Sequence, residues 1–225
     1  MGYNLDGENI KIGSKYMRRI GQGKTGDVYK IDQDTAIKVF KDEKNTPIDE
    51  NTADKLSKIS TDRIILPKSL LFYNDAFIGY TYRLISKIGS GKRIIMLPKS
   101  DLIQDIRILE SDIEELSNKQ VLLSGIEPTN TIFNGNLYIT DPSGYSMLED
   151  INTKNLEQLN NYQLHLLLVK LISMDLRNIN FSTKANIDAI EAMLKGKDKD
   201  ETSSEFFSEI ISGNDSIKDF VKKIH

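Results

Sequence analysis

The 225-residue chain has no cysteine, no tryptophan and only two histidines, His165 and His225. Without cysteine there is no disulfide framework, no thiolate zinc site and no cysteine nucleophile. A multi-histidine metal centre is excluded on the same count, and a Ser-His-Asp arrangement would rest on His165 alone. Charge of one sign is also lacking: 30 basic against 33 acidic side chains leave a formal net charge of −3. That balance gives no electrostatic pull toward nucleic acid or anionic lipid, so neither is an expected partner. Long apolar runs are missing too. The longest, Leu164 to Ile172, is interrupted by His165 and Lys170 and is too short to span a bilayer. The segment from Met1 to Ile12 carries Asp6 and Glu8 and has no apolar centre, so it does not read as a signal peptide. A bacterial, cytoplasmic protein with a real core is the expectation, since 39% of the residues are hydrophobic.

Residues 1–85 read as strand-rich. Tyr16–Ile20, Val28–Ile31, Thr35–Phe40, Ile64–Phe72 and Phe77–Ile85 are β-branched and aromatic runs separated by polar turns such as Asp32-Gln33-Asp34 and Asn74-Asp75. One helix interrupts them, with Thr46 as its cap, Pro47 at its first position and Ile48, Thr52, Leu56 and Ile59 as its buried stripe. Residues 86–225 read as mostly helical. Ser100 is expected to cap a long helix with apolar positions Leu102, Ile106, Leu109, Ile113 and Leu116. Short strands follow at Val121–Leu123, Thr131–Phe133 and Leu137–Thr140, the last two around the turn Asn134-Gly135-Asn136. Further helices are expected near 155–175, 185–195, 203–211 and 215–223. The fold class is therefore α+β: a small antiparallel sheet with one helix, then a helical portion with a β-hairpin at its root.

Gly21-Gln22-Gly23-Lys24-Thr25-Gly26-Asp27-Val28 is a G-x-G-x-x-G-x-V string. In a dinucleotide fold it would open a helix. Here it continues into a strand, turns at Asp32, and is followed by Ala36-Ile37-Lys38 on the next strand. This arrangement resembles protein kinases. A second match is longer: Leu116 to Asn130 resembles, without a gap, the kinase run through H-R-D-L-K-P-E-N, with Pro128 and Asn130 in the places of its Pro and Asn. Asp141, after the hairpin, resembles the Asp of D-F-G. The resemblance covers residues 14–145 and implies a two-lobed protein-kinase-like fold, with a nucleotide-binding lobe at 1–85 and a shortened helical lobe at 86–225. It implies ATP and Mg²⁺ as ligands. Gly21, Gly23, Gly26, Val28, Ala36 and Lys38 would bind the nucleotide, and Asn130 and Asp141 the metal.

The departures from the family are as informative. H-R-D is replaced by Leu123-Ser124-Gly125, so the place of the proton-accepting Asp is taken by Gly125. The family's catalytic-loop lysine is replaced by Glu127, and D-F-G by Asp141-Pro142-Ser143, with Gly144 one place late. No A-P-E follows, so the substrate-binding part must be shortened. The helical Glu that partners the strand lysine in the family has Thr52 in its place, leaving Glu50, Asp49 and Asp54 as alternative partners for Lys38. Three readings follow. One is a pseudokinase that senses nucleotide or binds a protein partner. Another is a slow or atypical phosphotransferase with Lys38, Asp141 and Glu127 as its catalytic residues. The third is a structural domain without ligand. His165 reads as a packed histidine. Tyr80, Tyr82 and Arg83 fall near the expected junction of the lobes.

Overall fold

A computed structural model describes residues 3–5, 8–10, 17–42, 45–85, 94, 97–179, 192 and 199–213. Seven antiparallel strands form the sheet: β1 (Tyr3–Leu5), β2 (Glu8–Ile10), β3 (Arg18–Gln22), β4 (Gly26–Lys30), β5 (Thr35–Phe40), β6 (Pro67–Tyr73) and β7 (Ala76–Arg83). Their order across the sheet is β2-β1-β6-β7-β5-β4-β3. The edge strand β2 and its neighbour β1 are an addition to the sequence reading, which placed no strand in that segment. At three residues each they are too short to show an alternation. The fold class is α+β.

Successive side chains of a strand point to opposite faces, and β5 shows what that does here. Ile37 packs on one face with Leu71 and Ile78. Phe40 packs on the other, edge-on to Phe77 and Tyr80 at centroid distances of 5.3 and 5.8 Å. This second face belongs to the main core, which runs on through Leu56, Leu109, Ile113, Leu116, Leu137, Ile139, Leu167 and Ile172. One continuous apolar cluster thus joins the sheet to the helices.

Helix α1 (Glu50–Ser57) buries Thr52, Ala53 and Leu56. Its cap is Asp49, not Thr46. The Asp49 carboxylate accepts from Thr52 N at 2.9 Å and from Thr52 Oγ1 at 2.6 Å, one bond on each oxygen. Helix α2 (Lys99–Asn118) begins after Pro98 with no side-chain cap, so Ser100 does not fill the role expected of it. Instead Ser100 Oγ lies 3.1 Å from Asp101 Oδ1. After α2 come β8 (Val121–Leu122), the hairpin β9 (Thr131–Phe133) and β10 (Leu137–Ile139), and β11 (Ser146–Met147), which pairs with β8. Helix α3 (Thr153–Ile179) and helix α4 (Lys199–Ser212) pack together. The helix expected at 215–223 lies outside the described residues, as does that at 185–195 apart from Ala192, which is helical. Among the described residues no helix is long and apolar enough to cross a membrane.

Buried acids on α2 fasten the hairpin to the sheet. Asp112 accepts from the backbone N–H groups of Asp62, Arg63 and Ile64 at 2.8, 2.6 and 2.9 Å. Asp105 accepts from Leu137 N at 2.9 Å and lies 3.4 Å from the Arg63 guanidinium. Arg63 also bonds Tyr138 Oη and Asn136 Oδ1. With Ile65 N on Ile139 O and Ile139 N on Arg63 O, the segment before β6 holds β10 in place. That placement sets the position of Asp141, two residues beyond the strand.

His165 supplies a pH test of the α3–α4 contact. Its Nδ1 is 2.8 Å from Ser204 Oγ and its ring stacks on Phe207 at 4.9 Å. Burial lowers its pKa from 6.5 to about 4. Between those values the unfolded chain takes up a proton that the folded chain refuses. Stability should therefore fall as pH drops from 6.5 toward 4, by up to about 1.4 kcal/mol per pH unit from this residue. Chemical denaturation of wild type and His165→Gln across that window should give a flatter pH dependence for the variant. Parallel curves would contradict the assignment.

Candidate functional site

The glycine string forms the turn between β3 and β4. Gly23 N donates to Gly26 O at 2.9 Å, closing the turn, and Lys41 Nζ donates to Gly23 O at 2.6 Å. Gly26 has to be glycine, because a Cβ there would stand 2.5 Å from Val39 O on the neighbouring strand. This close approach lays the turn over β5 and the side chain of Lys38.

Lys38 is 5% exposed. Its Nζ donates to Asp141 Oδ1 at 2.6 Å and to Ser143 Oγ at 2.9 Å. Burial pulls the Lys38 pKa down, and the Asp141 carboxylate offsets that only in part. Burial in turn pushes Asp141 up. The Lys38 charge and the hydrogen bonds from Lys38 and Ser143 outweigh it, so the carboxyl sits below its usual value. The two groups face each other as an ion pair at 2.6 Å. Asp141 takes the left-handed conformation, φ 64°, which Asp tolerates better than most residues. Pro142 then starts a one-turn 3₁₀ helix, Pro142–Gly144, whose Ser143 hydroxyl and N–H both donate to Asp141 Oδ1. The described bonds to Asp141 fall on Oδ1, which leaves Oδ2 for a cation.

Asn130 ends a second 3₁₀ turn, Pro128–Asn130. Its carbonyl accepts from Thr140 N at 2.7 Å and Thr140 Oγ1 at 2.9 Å, tying it to the residue before Asp141. Its Nδ2 donates to Gly125 O at 3.3 Å. Gly125 has φ +68° and no side chain. Ser124 Oγ donates to Gly144 O, which fastens this loop to the Asp141 turn. The loop is also held from behind by Asn160 on α3. That buried amide accepts from Leu123 N at 2.8 Å and donates to Val121 O at 2.9 Å and Ser117 Oγ at 3.0 Å.

These elements enclose a cavity of about 950 Å³. Of the residues singled out from sequence, Gly23, Gly26, Val28, Lys38, Asn130 and Asp141 line it, joined by Tyr80, Tyr82, Thr140 and Ser143. Burial, and next the Asp141 charge, raise both tyrosine pKa values, so these phenols stay neutral. Gly21 lies in β3, where an added Cβ would meet the Val28 side chain at 3.4 Å, an ordinary contact. Ala36 is fully buried, in register with Lys30 and Tyr82. Neither is among the lining residues. Glu127 is not among them either: its side chain is 51% exposed and accepts from Lys170 Nζ on α3 at 2.9 Å.

The partner of Lys38 is Asp141, and not an acid of α1. Asp49 is engaged as the helix cap, Asp54 pairs with Lys58 at 2.6 Å, and Glu50 is exposed in the first turn. Ser143 and Asn160 are site residues that the sequence reading did not assign. A signal for Asn160 was present: a polar residue four positions before the apolar stretch of a helix.

No family model matches this chain, and no curated protein matches it in sequence. Among solved structures, the chain is similar to the kinase domain of Mycobacterium tuberculosis PknI, with 12% sequence identity and a TM-score of 0.49 over 70% of this chain and 74% of that one.

Proposed function

We propose that this protein is a protein-kinase-like, ATP- and Mg²⁺-binding module that has lost its catalytic base and acts as a nucleotide-sensing or partner-binding pseudokinase. In this reading residues 1–85 and 86–225 are its two lobes. The observation that carries it is convergence: a glycine turn, a buried lysine, an aspartate and an asparagine, drawn from four separate stretches of sequence, line one cavity. The donor set suits the ligands. The turn can accommodate phosphate oxygens beside its backbone, Lys38 offers a charged donor, and Asp141 with Asn130 offers the few oxygen ligands that Mg²⁺ takes alongside phosphates. Bound Mg²⁺ would neutralise phosphate charge.

The pseudokinase reading is preferred over a phosphotransferase because, among the described residues, the cavity presents no spare carboxylate. Gly125 has none, Asp141 is committed to Lys38, and Glu127 is held outside by Lys170. Thermal melting with millimolar ATP and Mg²⁺ tests the reading, since a ligand bound to the folded state alone raises the melting temperature with occupancy. Wild type should shift upward. Lys38→Ala, lacking a charge-assisted contact worth about 1.5–3 kcal/mol, should lose most of the shift. No shift in wild type would refute nucleotide binding.

A further inference from the structure

The cation that would meet phosphate and the carboxylate that would meet metal are bonded to each other. Lys38 is almost wholly buried, and its described partners are Asp141 and Ser143. Ser143 touches both charges through one oxygen: it accepts from Lys38 Nζ and donates to Asp141 Oδ1. Resting on the nucleotide reading, we propose that Ser143 is a positioning residue that fastens Lys38 to Asp141 in a self-neutralising latch. The latch admits a polyphosphate and a divalent cation as a unit and resists either alone.

The reasoning is one of charge balance in a buried site. A polyphosphate arriving alone must draw Lys38 away, which leaves the Asp141 carboxylate facing phosphate oxygens. A cation arriving alone at Asp141 Oδ2 must share the one carboxylate with Lys38, which leaves a buried positive charge without an anion of its own, and an unpaired buried charge is costly. Arriving together, the two ligands replace each half of the pair with a group of the same sign. Ser143 sets how firmly the latch is shut, because its hydroxyl bonds exist in the closed state and must be given up or rearranged when the pair separates. Its removal therefore favours the open, ligand-accepting state.

Calorimetric titration of the full chain tests this with three probes: ATP with Mg²⁺, ATP with a chelator, and Mg²⁺ alone. Wild type should bind the first, bind the second at least roughly tenfold more weakly, and show no saturable binding of the third. Ser143→Ala should bind Mg²⁺-ATP roughly two- to tenfold more tightly, the worth of a hydrogen bond lost from the closed state. Ser143→Thr, which keeps the hydroxyl, should match wild type, and Ser143→Gly should repeat the gain should the alanine variant fold poorly. Unchanged or weaker binding by both hydroxyl-free variants would overturn the latch while leaving nucleotide binding intact. So would equal ATP affinity with and without Mg²⁺. Absence of Mg²⁺-ATP binding in wild type would overturn the nucleotide reading and the latch with it.

Discussion

Asp141→Ala should destabilise the ligand-free protein more than Lys38→Met does, although each removes one half of the same ion pair. The asymmetry comes from burial. Lys38 is 5% exposed, whereas the Asp141 side chain is 31% exposed. Removing the carboxylate strands an ammonium that water cannot reach, and breaking a buried pair from one side costs about 3–5 kcal/mol. Removing the ammonium leaves a carboxylate that can hydrate and still accept from Ser143, at a cost of about 1 kcal/mol. The double variant, lacking both charges, should be more stable than Asp141→Ala alone. Urea denaturation of the four proteins measures this directly. Equal losses from the two single variants, or strict additivity in the double, would show that the pair is solvated and that Lys38 does not depend on Asp141 for its charge.

Gly125→Asp should raise ATP hydrolysis or autophosphorylation above the wild-type level. A carboxylate there would stand five residues before Asn130, where the resemblance to protein kinases places the proton acceptor, and general-base help is typically worth ~10²–10⁴-fold. The local geometry permits the change. A Cβ at Gly125 would meet Gly144 Cα at 3.6 Å, an ordinary contact. The cost lies in the backbone, since φ is +68°, but Asp adopts that region more readily than most residues and the penalty is about 1 kcal/mol. Gly125→Asn carries the same backbone cost without a base, so it should melt like the Asp variant and remain at wild-type activity. With Glu127 in the lysine's place, the gain should fall short of the full general-base factor. A wild type already active, indifferent to Gly125→Asp and disabled by Glu127→Gln, would instead make Glu127 the working base and the protein an enzyme.

What was legible in the sequence was local. Turn residues and alternation located β4, β5 and β7, the hairpin and the glycine turn, because each depends on neighbours a few positions away. The apolar spacing of α2 did the same for the helical part. What the sequence hid was long-range polar pairing. Lys38 and Asp141 are 103 positions apart, and nothing in either segment announces the other. The resemblance to protein kinases pointed to α1 instead, because that family pairs the strand lysine with a Glu on this helix. Its acids are spent on a cap and an i,i+4 pair. Asp105 and Asp112 interrupt the buried stripe of α2 beside Ile106 and Ile113. Acids at such positions are expensive unless they serve as acceptors, and here they take the backbone N–H groups of Leu137 and of residues 62–64. Read that way, their spacing was a signal. The cap of α1 is Asp49 and not Thr46 because the helix begins at Glu50, so Asp49 is the residue whose side chain reaches Thr52 N.

The most direct test of the central claim is a crystal structure of the full chain grown with Mg²⁺ and a non-hydrolysable ATP analogue at millimolar concentration. The account predicts the triphosphate beneath the Gly23–Gly26 turn, Lys38 Nζ moved from Asp141 onto phosphate oxygens, and Mg²⁺ held by Asp141 with Asn130 beside it. An empty cavity with the 2.6 Å Lys38–Asp141 bond still closed, or nucleotide bound elsewhere on the chain, would contradict it.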